Sequence, residues 1–240
     1  MQAEGPLFNP RPAVRVLTLA RDQHCVVIDE LLARPEALVD WACGQTFQPP
    51  RGVPYPGLLL PAPAALAQAV TDCFAQHARG RIGGRRTLEA AVRLAMVTLP
   101  PEALAPCQWQ CHRDRIAADP ARVLFAASVL YLFRDPALGG TSFYRPRLPP
   151  AEVERMVADS QQLGAAEFRA RWGVAPGYMT GSNDHFERIA QVPAAWNRMI
   201  LYDGGLFHSG DVEQPQRLSP DPARGRLTLN GFFTCTRALR

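Results

Sequence analysis

Between Val123 and Phe133 the chain runs VLFAASVLYLF, eleven residues in which only Ser128 and the Tyr131 hydroxyl are polar. A strand turns alternate side chains to opposite faces, so an apolar run without alternation predicts a strand covered on both faces. The rest of the chain must therefore supply a layer on each side of it. GGTSFYRP, NRMILYDGGLFHSG and GRLTLNGFFTC are predicted as further strands, with Asp203-Gly204 placed where a tight turn belongs. QWQCHRD reads as short and extended, while LEAAVRLAMVTL is ambiguous between helix and strand.

The front half differs. After an extended arm to Pro12, HCVVIDELLARPEALVDWACG predicts a strand from Cys25 to Ile28, an acidic turn at Asp29 and Glu30, and a helix carrying Leu38, Trp41 and Ala42. A proline-rich loop from Pro49 to Pro63, with Tyr55-Pro56-Gly57 as its turn, leads to a helix with Leu66, Val70 and Phe74 on one face. His77 at its end suits the negative end of the helix dipole. Farther on, PPAEVERMVADSQQLGAAEFRARWG predicts one helical stretch stopping at Gly173, and Val174 to Asn197 reads as a long loop. The expected organisation is a single domain, residues 1–95 forming a strand and supporting helices, and 96–240 a β core interrupted by an insert at 149–197.

Nearly half of the 240 residues are hydrophobic and a fifth are charged, which provides a core and excludes disorder. The net charge of +4 comes from arginine alone, since lysine is absent. The cluster Arg79, Arg81, Arg85 and Arg86 sits among glycines as a solvated face would, and no interleaved basic and aromatic stripe marks a nucleic-acid partner. Six cysteines without a CxxC pair fit a reducing cytoplasm. The N-terminus has no signal-like segment, and no stretch is apolar for long enough to predict a membrane span.

The chemistry concentrates in three motifs. In an extended CHRD segment His112 and Asp114 would share a face with Cα atoms roughly 6.5 Å apart, within reach of one cation. His208 in GLFHSG would complete two histidines and one carboxylate, the set that leaves open positions on non-haem Fe(II). A zinc cluster built on Cys107 and Cys111 lacks the required spacing. In RLTLNGFF, Arg226, Thr228 and Asn230 share one face while Leu227 and Leu229 share the other. A guanidinium directed into a dry space calls for an anionic partner, and a dicarboxylate would supply one. Trp109, by alternation from Cys111, would pack beneath the site, with Asn230 and Ser209 as further pocket candidates.

With CHRD, FHSGDV and RLTLNGFF in this order, supported by the YLF and GGTSFY segments, the chain resembles the Fe(II)/2-oxoglutarate-dependent oxygenases, most closely their prolyl 4-hydroxylase-like branch. The resemblance runs from HCVVIDELLARPEAL to the C-terminus. It implies a mainly β fold with flanking α, a double-stranded β-helix (jelly roll, cupin-like) core on which the N-terminal helices pack. It implies Fe(II) held by His112, Asp114 and His208, with no further catalytic residue. It implies 2-oxoglutarate held by Arg226 with Thr228, and by Tyr131 through its place in the VLYLF strand. Dioxygen and a small-molecule or peptidyl substrate follow, with hydroxylation as the default outcome. The chain departs from the branch in carrying arginine where lysine is frequent, and in the length of its insert. Two alternatives stand beside this: a cupin-like metalloenzyme that uses no 2-oxoglutarate, and a non-catalytic β-helix binding protein in which the three side chains never meet.

Overall fold

The computed structural model describes residues 7–115 and 119–238. In chain order the elements are β1 (Ala13–Ala20), β2 (Gln23–Asp29), α1 (Pro35–Cys43), β3 (Gly57–Pro61), α2 (Ala64–His77), β4 (Gly84–Val97) and β5 (Val123–Tyr131). There follow β6 (Thr141–Pro146), α3 (Pro150–Gln162), α4 (Ala165–Trp172), β7 (Phe186–Val192), β8 (Arg198–Asp203), β9 (Phe207–Gly210) and β10 (Arg226–Arg237). The fold is mainly β. A seven-stranded sheet has the order β1-β2-β8-β5-β10-β4-β3, and a three-stranded sheet the order β7-β6-β9, with antiparallel pairing throughout. An isolated bridge from His112 to His208 places the CHRD segment along the free edge of β9.

From β4 onward the chain alternates between the sheets. β4 lies in the large sheet, the His112 segment at the edge of the small one, β5 in the large, β6 and β7 in the small, β8 in the large, β9 in the small and β10 in the large. β4 crosses residue 95 without a break, so a boundary there would cut a strand.

The apolar run at β5 has the two covers it requires. Leu124, Ala126, Leu130 and the following Leu132 join a core with Leu227, Leu229 and Phe233 of β10, roofed by Leu38 of α1 and by Leu66, Val70 and Phe74 of α2. Phe74 stacks on Phe233 at 4.0 Å between ring centroids. Burying such a ring contributes about 1.5–3 kcal/mol, which fixes α2 against the sheet. Ala127, Tyr131 and Phe133 turn the other way and pack with Phe143 and Val192 of the small sheet and Ile200 and Tyr202 of β8. A third core, with Trp109, Cys111, Phe168, Phe186 and Phe207, holds the insert against the outside of the small sheet.

Several expectations need correction. The ambiguous LEAAVRLAMVTL segment is strand, within β4. β1 spans residues 13–20, for which no element was expected, and β3 arises where a proline-rich loop was expected. Both are edge strands, and Pro61 stands at the last position of β3, where its missing N–H costs nothing internal. The insert contains two helices, broken at Leu163-Gly164, where Leu163 adopts an extended conformation. The expected loop from Val174 to Asn197 contains β7, so the excursion between β6 and β7 covers 147–185.

Candidate metal centre

His112, Asp114 and His208 converge. Their ligand atoms all lie within 4.8 Å of one another, and they form the only such group of three among the described residues. The main chain brings them together: His112 and His208 exchange N–H···O bonds of 2.9 Å each, and the Asp114 N–H donates to the Gly204 carbonyl at 2.9 Å. Gly204 in turn donates to Phe125 of β5 at 2.7 Å. A Cβ at Gly204 would stand 3.0 Å from Asp114 Oδ2, so this close approach favours glycine.

Asp114 Oδ1 lies 3.7 Å from His112 Nε2, and Oδ2 lies 3.5 Å from His208 Nε2. The side chains of His112, Asp114 and His208 are 54%, 17% and 6% exposed, so the group opens to solvent on the His112 side alone. His208 Nδ1 lies 2.8 Å from the Leu206 carbonyl. A proton on Nδ1 makes that bond and leaves the Nε2 lone pair free, the arrangement metal-binding histidines adopt. Tyr202 and Phe143 wall the ring, with the Tyr202 centroid 4.8 Å away. Burial pushes the Asp114 carboxyl up, but His208 and His112 outweigh it and hold the group well below the usual carboxylate range. Burial lowers the His208 imidazole and Asp114 more than reverses this. Asp114 Oδ2 is buried without a hydrogen-bond partner. A carboxylate facing two imidazole nitrogens, with its buried Oδ2 left without a donor, is a donor set that fits a divalent cation.

The geometry settles where the other candidates lie. Arg226 is buried at 5% exposure, but carbonyls rather than an anion receive it. Nε donates to Leu138 at 2.8 Å, and Nη2 donates to Gly139 at 3.2 Å and Gly140 at 2.9 Å, with Phe133 beneath. Gly139 holds φ at +79°, and a Cβ there would fall 1.4 Å from the Asp211 carbonyl oxygen. Only glycine presents this row of acceptors. The Tyr131 hydroxyl shares a 2.8 Å bond with Thr141, and Thr228 donates to the Ala95 carbonyl at 3.3 Å. Asn230 faces the space between the sheets, its Oδ1 buried without a partner.

Trp109 and Ser209 do not belong to this space. A turn at Pro106–Gln108 leaves Trp109 in a helical conformation, and although it shares a core with Cys111 as expected, that core lies outside the small sheet. Its ring packs on Phe168, and Nε1 donates to Leu104. Ser209 alternates away from His208 and donates to Tyr144 and to the Met179 carbonyl on the outside of the small sheet.

Residues 10–233 match the model of a family described as being of unknown function, DUF6445. The chain belongs to that family. No curated protein matches this DUF6445 chain. It is similar to several solved structures. One is the non-heme alpha ketoglutarate dependent epimerase SnoN from nogalamycin biosynthesis, at 12% identity and TM-score 0.44, covering 91% of this chain and 82% of that one. A prolyl-4-hydroxylase from Pseudomonas putida gives 16%, 0.39, 85% and 84% for the same quantities. HygX from Streptomyces hygroscopicus, solved with nickel and 2-oxoglutarate bound, gives 11%, 0.45, 88% and 82%. At these values the likenesses carry no argument about what the DUF6445 chain does.

Sequence reasoning missed Tyr55, Arg93 and Tyr178. Burial pushes the Tyr55 hydroxyl up to about 12, against Arg226, Arg93 and Thr228, which draw it down. Tyr178 donates to the Leu99 carbonyl at 2.7 Å, and burial, reinforced by Tyr55 and opposed by Arg226, pushes its hydroxyl up. In the DUF6445 sequence Tyr55 reads as a turn residue and Tyr178 as part of a loop. An arginine within an apolar segment was the one available signal for Arg93, and it becomes usable once that segment is known to be strand.

No helix among the described residues is long and apolar enough to cross a membrane.

Proposed function

We propose that this chain is a non-haem Fe(II)- and 2-oxoglutarate-dependent oxygenase that hydroxylates a C–H bond of an amino acid, a peptidyl side chain or a small natural product. The observation that carries this is the approach of His112, Asp114 and His208 to within 4.8 Å. The winding of the chain between the two sheets supports a double-stranded β-helix, a frame that holds such ligands on adjacent edges.

His112, Asp114 and His208 would hold the iron. When bound there with 2-oxoglutarate, it would couple oxidative decarboxylation of the keto acid to oxidation of a C–H bond. The chain's own groups have separate tasks. The Leu206 carbonyl fixes the His208 tautomer, and Tyr202 and Phe143 exclude water from its inner side. Arg226, held through Nε and Nη2, keeps Nη1 for the distal carboxylate of the cosubstrate, with Thr228 and Tyr131 beside it. Holding the reactants in one geometry is the main contribution the residues make.

The test is anaerobic addition of Fe(II) and 2-oxoglutarate to protein stripped of nickel and zinc, which first-row affinities favour over iron. A visible charge-transfer band is expected, and succinate on admitting air. Absence of both would sink the proposal. One observation favours a second reading, a cupin-like metalloenzyme without a keto acid: the carbonyls of Leu138, Gly139 and Gly140 already occupy Nε and Nη2 of Arg226. Iron binding with no response to 2-oxoglutarate would select it. A binding module whose three side chains never meet is not the arrangement found.

A further inference from the structure

A second guanidinium enters the space between the sheets. Arg93 of β4 pairs with Asn230 of β10, and their neighbours Leu94 and Leu229 turn to the helix-covered core. Arg93 therefore shares the inward face with Asn230 and Thr228. It differs from Arg226 in one respect: its Nε is buried without a hydrogen-bond partner, and Oδ1 of the adjacent Asn230 is buried and unpartnered too. The Arg93 guanidinium lies over the Phe232 ring, 4.6 Å from its centroid, which holds it in place without neutralising it. Tyr55 and Asp114 are the titratable groups that act on it electrostatically. Burial lowers its basicity, and those two groups partly restore it.

Arg93 is half-buried with its Nε–H shut off from water, and a buried N–H without an acceptor is costly, as is a carbonyl oxygen without a donor. An unmet donor and an unmet acceptor on adjacent strands are complementary to one kind of molecule: an anion with an N–H or O–H close to it. We propose that Arg93 and Asn230 anchor the molecule that is oxidised, Arg93 receiving its carboxylate and Asn230 Oδ1 accepting from a neighbouring N–H or O–H. The substrate class is then a small carboxylic acid bearing an α-amino, acylamino or hydroxyl group. The inference rests on the oxygenase reading for the word substrate, while the anchor itself requires no metal.

The experiment is NMR of arginine Nε–H groups in the metal-free, full-length protein. The titrants are N-acetyl-L-amino acids with small, branched, aromatic and acidic side chains, each compared with its C-terminal amide. At least one acid is expected to move the Arg93 signal saturably while its amide does not. N230A should weaken that acid about tenfold, and R93Q should abolish its binding while keeping the Fe(II)·2-oxoglutarate band. Absence of a saturable shift with every acid, or equal shifts with acids and amides, would overturn the proposal. So would a shift by 2-oxoglutarate together with loss of its band in R93Q, which would make Arg93 a cosubstrate residue. The wild-type titration decides even if R93Q fails to fold. If the wild-type protein gives no band but an acid still moves Arg93, the anchor stands and the oxygenase reading falls.

Discussion

The two faces of β10 have opposite chemistry on one backbone. Toward the helices, Leu227, Leu229, Phe233 and Cys235 are sealed in an apolar core. Toward the small sheet, Arg226, Thr228 and Asn230 are equally removed from water yet polar. Burial alone therefore does not separate a folding face from a working one. What separates them is whether each buried group is satisfied: the first face leaves nothing unmet, while the second leaves Asn230 Oδ1 and, one strand away, Arg93 Nε without partners.

The contrast can be broken from either side. The largest effect is expected from H208A, which removes the most enclosed of the three candidate ligands. Fe(II) affinity measured by competition with a chelator should fall by more than about 100-fold, beyond what loss of an outer-sphere partner costs, while the melting temperature of metal-free protein changes little. Iron affinity retained within tenfold would remove His208 from the site. F74A should do the reverse. Unfolding in urea should show a loss of about 3–5 kcal/mol, and iron affinity of the remaining folded protein should be unchanged.

G139A acts on the polar face, where a Cβ would meet the Asp211 carbonyl. It is expected to destabilise by about 1–3 kcal/mol and to weaken 2-oxoglutarate more than iron, since the carbonyls that orient Arg226 must shift. An unchanged affinity for 2-oxoglutarate would detach that arginine from the cosubstrate. The smallest effect concerns pH. Burial pushes the Cys73 thiol of the helix-covered core up to about 12 from 9.0. A thiol that stays protonated in the folded state stabilises fully below the unfolded value. That contribution is lost as pH rises from 9 toward 12, because the unfolded chain releases its proton first. Unfolding free energy should thus decline above pH 9, and C73A should flatten the decline by no more than about 1.4 kcal/mol per pH unit. An identical slope in C73A would show that other groups govern it.

How far the sequence could be read follows the same division. β5, β8, β10, α1 and α2 were legible because apolar periodicity records burial, and burial is what those segments do. β1 was not, since Val14 and Val16 on this edge strand are 36% and 44% exposed, and its pattern carries little core signal. β3 was hidden by flanking prolines, and β7 by the glycine- and asparagine-rich sequence before it. The convergence of His112, Asp114 and His208 was legible from residue type and order, although the reason given for their proximity was incomplete: His112 is positioned by one bridge to β9, not by a regular strand. Trp109 was misplaced for that reason, through a local turn that spacing alone does not reveal, whereas the alternation that turns Ser209 away from His208 was already readable in the FHSG spacing. Arg226 needed no anion to be buried, because a run of carbonyls exposed by Gly139 and Gly140 serves, and main-chain acceptors leave no mark in a list of side chains.

The paired main-chain bonds between residues 112 and 208 set the distance between those two positions independently of the side chains they carry. Exchanging either imidazole for a thiol or a carboxylate should leave the spacing intact. The scaffold thus offers a fixed pair of attachment points onto which chemists could graft ligand sets suited to other ions, altering reactivity without rebuilding the protein around it.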